Sequence, residues 1–330
     1  MAVTLKDVAE RAGVSRSAVS RTFTSGASVS AKTRAKVEAV ARELGYTPNA
    51  LASSLTTGRT KLIGLIANNF HNPLILEVFD LFTQGLQDRG LRPLLVNLSG
   101  ATDEPAALQM LQQYSVDGVI VASSTLPPGF AESVQRAGLP VVHAFGRPGQ
   151  SPLVPVVGID NIACGRMAAL ALLARGYRDV AFLGGPAGAT STQDRAKGFL
   201  SALGDRTGIR VRLSYADAYT YDAGRREMAR LLRADPAQAY FCGDDLLAVG
   251  ALSAIREAGL SVPGDIGLIG LNDMEMSRWD IIDLTTIRQP VARIIDAAIT
   301  LVTATIADPG RTAADQVFPC ELVLRGSLRP

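Results

Sequence analysis

The spacing of apolar residues changes near residue 61. Before it, they recur every three or four positions in short bursts: Leu5, Val8, Ala9 and Ala12, then Ala18 and Val19, then Val37, Val40, Ala41 and Leu44. That is the period of amphipathic helices. Gly13 breaks the first burst, Ser15 and Ser30 stand where helix caps belong, and Gly45 ends the third. The pattern predicts two short helices around a tight turn within 5–21 and a third helix over 31–44, a compact head with little core. After residue 61, short apolar runs alternate with helical stretches. Strands are expected at 62–67, 93–98, 118–122, 140–145, 156–159, 180–183, 239–242 and 266–271. Helices are expected at 76–89, 106–114, 165–175, 196–203, 223–232 and 247–258, followed by a late helix over 291–306 and a strand at 321–324. Such alternation specifies parallel α/β sheets with right-handed crossovers. The strands are too many for one comfortable sheet. Pattern alone therefore predicts two consecutive lobes, with a ligand cleft at the strands' carboxyl ends.

The two regions are joined by a stretch of different character. Tyr46-Thr-Pro48 is forced to be extended, because a residue before proline avoids the helical region. Asn49 can cap the segment that follows, and Gly58 stops it. So short a helix does not hold alone in water. It is expected to fold when it gains a partner, as a switch does.

Charge sharpens this division. Residues 1–60 carry nine Lys/Arg against four acids, a net +5, and the rest carries 24 against 27, a net −3. A basic head on a mildly acidic body indicates that the head alone meets a polyanion. The second helix turns Arg16, Ser17 and Arg21 away from its apolar side. A short helix with such a face suits the major groove of DNA, where one arginine can donate two hydrogen bonds to guanine. Thr4, Ser15 and Ser30 stand at helix starts. Their hydroxyls suit phosphate oxygens, and plain N-capping is the alternative role. The three cysteines, Cys164, Cys242 and Cys320, are widely spaced and are expected to be separate, buried and inert. No apolar leader and no apolar run of membrane-spanning length is present, so a cytoplasmic protein is expected.

The order of several motifs resembles the LacI/GalR family of bacterial transcription regulators. They are Thr4-Leu-Lys-Asp-Val-Ala9, Ala12-Gly-Val-Ser15, Ala18-Val-Ser-Arg21, Glu43-Leu-Gly-Tyr46, Pro48-Asn-Ala-Leu-Ala52, Asp194-Arg195, Ala248-Val-Gly-Ala-Leu252, Val262-Pro-Gly-Asp-Ile266, Gln289-Pro290 and Leu324-Arg-Gly-Ser327. The resemblance runs over essentially the whole chain. It implies an N-terminal helix-turn-helix domain at 1–47, a hinge helix at 48–60, and a two-lobed body like periplasmic sugar-binding proteins at 61–330. In that body, lobe 1 would take about 61–160 plus 288–318, and lobe 2 about 161–287 plus 319–330. It also implies a repressor acting as a homodimer on a palindromic operator, with no membrane partner. Its DNA affinity would be controlled by a small sugar-like or sugar-acid effector between the lobes.

By position, the resemblance assigns base reading to Arg16, Ser17 and Arg21 and groups Thr4, Ser15, Ser30 and Asn49 with them at the DNA. It places Leu55 where the family wedges a leucine into the minor groove. Ser53 departs from a frequent arginine, which removes a phosphate contact. For the effector it points to Leu74, Ile75, Arg147, Arg195, Tyr219, Asp244 and Asn272. Aliphatic Leu74 and Ile75 argue against a nucleobase. Gly146 stands where relatives have aspartate, and retention of Arg147 and Arg195 tilts the expectation toward a carboxylated sugar, with Arg147 as a structural partner of an acid such as Asp160 the open alternative. No catalytic residue, metal ligand or cofactor is expected. Two rival readings remain open. An α/β enzyme is one, although Gly184-Gly-Pro-Ala-Gly188 fits no nucleotide-binding motif. A transport binding protein is the other, against which the basic head speaks. Replacing Leu55 by alanine is expected to weaken specific operator binding far more than binding to random DNA. Equal loss on both, read by gel shift, would rule out the wedge.

Overall fold

The computed structural model describes residues 3–24, 26–49, 54, 57–98, 103–126, 128–149, 153–204, 206–310 and 313–330. Leu55 and Ser53 lie outside the described residues. The chain forms two compact units, Met1–Lys61 and Leu62–Pro330.

The first unit contains helices α1 (Leu5–Ala12), α2 (Arg16–Phe23) and α3 (Ala31–Leu44). Their starts are fixed by side chains that satisfy free helical N–H groups. Thr4 and Asp7 form a reciprocal capping box, in which the Asp7 carboxylate accepts from the Thr4 N–H at 2.8 Å. Ser15 accepts from the Ala18 N–H and Ser30 from the Thr33 N–H. Gly13 and Gly45 end α1 and α3 with φ of 60° and 67°, a backbone that glycine takes without strain. Val8, Ala9, Ala12, Val19, Val37 and Ala41 make the small core, as the periodicity predicts.

The second unit holds two six-stranded sheets. The first runs in the order β11-β5-β4-β3-β1-β2, using β1 (Leu62–Ala67), β2 (Arg92–Asn97), β3 (Gly118–Ala122), β4 (Val141–Ala144), β5 (Val156–Ile159) and β11 (Gln316–Phe318). All its pairings are parallel. The second runs β12-β10-β9-β8-β6-β7, using β6 (Asp179–Gly184), β7 (Arg210–Tyr215), β8 (Ala239–Cys242), β9 (Gly267–Leu271), β10 (Thr286–Arg288) and β12 (Glu321–Val323). Only β12 is antiparallel, against β10. The helices are α4 (Leu74–Asp88), α5 (Glu104–Gln113), α6 (Pro128–Arg136), α7 (Asn161–Ala174), α8 (Thr190–Leu203), α9 (Tyr221–Ala234), α10 (Asp245–Glu257) and α11 (Val291–Ala307). Strands β1, β3, β4, β5, β8 and β9 are nearly continuous apolar runs because helices cover both sheet faces.

The chain passes between the sheets three times: after β5, after β10, and between β11 and β12. The lobes are therefore interleaved in sequence, which corrects the consecutive arrangement that pattern alone predicts. The missing strands were β7, β10 and β11. Two of them are only three residues long, and β7 is an edge strand whose arginines break the apolar run.

Lobe 2 is built on two near-contacts of helix backbones. A β-carbon on Gly165 of α7 would overlap the Arg195 carbonyl, and one on Gly198 of α8 the Ile162 carbonyl. Gly224 of α9 and Gly250 of α10 repeat the device against Leu247 and Tyr221. Gly198→Val is expected to destabilise the body by about 1–3 kcal/mol, because the helices must part. Gly188→Ala, in open space, is the neutral control. Urea midpoints of the two variants check this.

Candidate functional site

Two surfaces follow from this architecture, one in each unit. In the first, charge is sorted. Arg11 pairs with Glu43 at 2.7 Å, Lys6 pairs with Glu10 at 3.7 Å, and Arg34 donates to the Thr22 carbonyl at 2.5 Å. Arg16, Ser17 and Arg21 lie exposed on α2, opposite buried Val19. Among the described residues, Arg16 and Arg21 have no carboxylate partner. The outer face of α2 thus presents uncompensated guanidinium groups beside the Ser15 and Ser17 hydroxyls, which lie 2.9 Å apart. Thr4, Ser15 and Ser30 all cap helices. Asn49 follows α3 and is exposed.

In the second unit, a cleft partly open to solvent, holding about 730 Å³ of empty space with that open solvent included, lies between the carboxyl ends of the two sheets. That is the switch-point position where open α/β sheets bind ligands. Leu74, Ile75, Arg195, Tyr219, Asp244 and Asn272 all line it. Leu74 and Ile75 give an apolar wall from the start of α4. Arg195 is buried on the first turns of α8. Its Nε donates to Asn161 Oδ1 at 2.8 Å and its Nη1 to the Gly243 carbonyl at 2.6 Å. Two of its donors are thus fixed by the protein, while Nη2 has no protein acceptor among the described residues. The Tyr219 ring lies on Gly185, where a β-carbon would meet it at 2.5 Å, and its hydroxyl bonds Thr192 at 2.6 Å. The glycine-rich turn after β6 therefore makes room for this ring.

Asp244 is the joint of the site. Its Oδ1 caps α10 through the Leu246 N–H at 2.7 Å. Its Oδ2 accepts from Asn72 of lobe 1 at 3.1 Å and from Asn272 of lobe 2 at 2.9 Å. Gln289, in the second crossing, donates to Asn272 Oδ1 at 2.7 Å. Burial, with Asp245 next to it, pushes the Asp244 carboxyl up to about 7. Asp245 is wholly buried and serves the fold. It accepts from the Met274 N–H, the Ser277 hydroxyl and the Thr286 hydroxyl, tying α10 to the segment after β9 and to β10. Asn272 and Phe145 hold left-handed backbone at φ of 119° and 65°, and both line the cavity. For non-glycine residues that is stored strain, of the kind found at ligand sites.

Arg147 is the exception among the expected ligand residues. It is not in the cavity lining. Its Nε donates to Asp194 at 2.7 Å and its Nη2 to the Thr190 carbonyl at 2.8 Å, so it bridges the lobes as a structural ion pair. Asp194, one residue before Arg195, is what removes it. The neighbouring Gly146 lies against the His143 ring, where a β-carbon would sit at 2.8 Å. An aspartate there would displace that ring. His143 itself donates from Nε2 to the Ser123 carbonyl at 2.8 Å and is kept neutral by burial.

The sequence reading missed Asn68, Asn69, Asn72, Ser124, Asn161 and Gln289, which also line the cavity. A signal for them exists. All six stand one to five residues beyond a strand or begin the next helix, as at β1, β3, β5 and β10, and polar residues directly after apolar runs mark carboxyl ends. Among the described residues no cluster of three metal-ligating side chains occurs, and no helix is long and apolar enough to cross a membrane.

The family described as bacterial regulatory proteins, lacI family, matches residues 4–49, and the periplasmic binding protein-like domain matches residues 169–328. The HTH-type transcriptional regulator DegA of Bacillus subtilis is 31% identical over 100% of this chain and 99% of its own length. The HTH-type transcriptional repressor PurR of Serratia proteamaculans is 34% identical over 90% of this chain and 89% of its own. The lac repressor dimer bound to operator and an anti-inducer superposes with a TM-score of 0.89 at 27% identity, covering both chains fully. The regulator CelR in complex with cellobiose gives 0.74 at 28%, over 98% of this chain and 99% of that one.

The buried Asp244 carries a pH dependence. Its folded value, about 7, lies above the ordinary 3.8, so the folded state favours the protonated form. The stability it contributes is full below the ordinary carboxylate range and is lost as pH rises through 7. His143 acts in the opposite direction, but only as pH falls below its ordinary 6.5. Between roughly pH 6.5 and 8.5 the protein is therefore expected to lose on the order of 1 kcal/mol. Asp244→Asn should flatten that slope in urea titrations at the two pH values, and an unchanged slope would exclude Asp244 as its source.

Proposed function

From a chain that belongs to the lacI family of bacterial regulatory proteins, we propose a sequence-specific DNA-binding transcription repressor controlled by a polyhydroxylated, sugar-like effector. It acts as a homodimer on a palindromic operator. The supporting observation is the pairing of two chemistries in one chain: uncompensated Arg16 and Arg21 on a capped helix, and a cavity walled by amides around a half-engaged Arg195. Arg16, Ser17 and Arg21 read base edges. Thr4, Ser15, Ser30 and Asn49 meet phosphates, and Leu55 opens the central base step.

In the body, Arg195 grips effector oxygens with Nη2. Asn272 and Asp244 accept or donate to hydroxyls, Tyr219 stacks on the ring, and Leu74 with Ile75 covers the apolar face. A neutral sugar is favoured over a sugar acid, since Arg147 is consumed by Asp194 and a buried carboxylate already lines the site. The effector acts by its different affinity for two lobe arrangements, because the Asn72–Asp244 bond and the Arg147–Asp194 pair both span the lobes. No catalytic residue is assigned, and among the described residues none of the cavity groups forms a nucleophile–base pair.

Gel shifts with DNA from upstream of the gene test the reading, together with a thermal-shift screen of sugars and sugar acids. Arg16→Ala is expected to cost about 1–3 kcal/mol in specific binding while random DNA is bound nearly as before. Arg195→Gln should abolish the thermal shift by the effector and leave operator binding intact. A ligand consumed and released as product would overturn the regulator in favour of an enzyme.

A further inference from the structure

Two neighbouring residues follow β9 with left-handed backbone, Asn272 at φ 119° and Asp273 at φ 54°. Their side chains go to different places. Asn272 lines the effector cavity, whereas among the described residues Asp273 is absent from that lining. Asp273 instead faces a neighbouring cleft, beside Glu275, Arg278 and Arg288. Its carboxylate is shut off from solvent and gathers the guanidinium groups of Arg278, Arg288 and Arg325. Oδ2 accepts from Arg288 Nε at 2.6 Å and from Arg278 Nη2 at 3.3 Å, and Oδ1 accepts from Arg325 Nη2 at 2.5 Å. Burial opposes its charge, but the Arg325 and Arg288 bonds outweigh burial and hold it below the ordinary carboxylate range.

The places these arginines come from matter as much. Arg288 ends β10, directly before Gln289 and the second crossing. Two rungs therefore lie side by side, Arg288 to Asp273 and Gln289 to Asn272. Arg288 also donates from Nη1 to Glu321 at 2.6 Å, where β12 begins after the third crossing. Arg325 follows β12 and donates from Nη1 to the Leu284 carbonyl at 2.7 Å. Asp273 thus joins the turn after β9 to the second crossing and to the far end of the third. Consecutive non-glycine residues with left-handed backbone persist only where their surroundings fix them. Charge-assisted bonds to a buried carboxylate fix a turn more strongly than the neutral amide bond between Gln289 and Asn272.

We propose that Asp273 is a positioning residue for effector recognition: anchored by Arg288 and Arg325, it fixes the turn that aims the Asn272 amide at Asp244 and at the cavity. It acts through Asn272 and touches no effector itself. Through the same arginines, the position of that amide depends on how the second and third crossings lie. A lobe movement that displaces the crossings is felt at Asn272, and a ligand that pulls on Asn272 is felt at the crossings. The part in recognition rests on the effector reading of the cavity, while the aiming of Asn272 does not.

Two variants of the full-length protein test this. Asp273→Asn keeps the size of the side chain and turns an N–H toward guanidinium donors. Arg288→Lys keeps the charge and loses the fork that reaches both Asp273 and Glu321, and it replaces the first variant if that one does not fold. In their ligand-free crystal structures, Asn272 is expected to lose its bonds to Asp244 and Gln289 while β9 and β10 keep their pairing. Asn272 held as in the unaltered protein would overturn the proposal. Thermal-shift titrations with D-glucose, D-galactose and D-ribose read the consequence. A sugar bound by the unaltered protein should bind Asp273→Asn roughly ten-fold more weakly. Arg278→Ala removes the longest of the contacts, from a half-exposed side chain, and should bind that sugar as before. Equal binding to Asp273→Asn and the unaltered protein would overturn the part in recognition. If none of these sugars binds the unaltered protein, the effector reading loses support, and the crystal structures still decide what fixes Asn272.

Discussion

Burying the Asp244 carboxylate between two lobes imposes a demand that the surrounding structure meets. An ion-forming group out of water needs donors, and here they come from Asn72 on one side, Asn272 on the other and the α10 N-terminus beneath. Asn272 in turn is held by Gln289 in the second crossing. One carboxylate thus links lobe 1, lobe 2 and a connection between them. The left-handed backbone at Asn272 persists because this chain of bonds over-determines it. A ligand entering the cavity competes for these same donors. That competition is a physical route by which a small molecule changes how the lobes meet.

The second constraint is the closeness of helices. Gly165 and Gly198 let α7 and α8 approach to near backbone contact, and this seats Arg195 over Asn161 and the Gly243 carbonyl. A guanidinium with two nitrogens engaged and the third left free is preorganised, so little side-chain freedom is lost on binding. Gly185 serves the neighbouring Tyr219 in the same way, by leaving space for its ring. The glycines in this lobe act through packing, which is why no phosphate-binding motif was found among them.

Electrostatics organises the small unit differently. Its core is six small aliphatic side chains, and three of its four acids are spent on capping α1 and on pairing Arg11 and Lys6. What remains on α2 is positive and unopposed. The sorting of charges makes a surface for a polyanion without any one residue being unusual.

Periodicity and capping residues sufficed for the three head helices, since each is determined by its own side chains: the Thr4, Ser15 and Ser30 caps, the Gly13 and Gly45 stops, and one apolar face. The long strands of the body were equally legible, because a strand covered on both faces must be apolar throughout. Six of the cavity residues, from Leu74 to Asn272, were legible through motif order. Other features depended on contacts distant in sequence. Arg147 has the same chemistry as Arg195, yet Asp194 claims one while Asn161 and Gly243 aim the other into the cavity. Three-residue strands such as β10 and β11 carry no local pattern and exist only because a partner strand lies beside them. The sequence by itself determined which segments bury which faces, because that depends on local spacing. The tertiary structure decided which polar groups meet, because a hydrogen bond or ion pair depends on distances that only the folded chain sets.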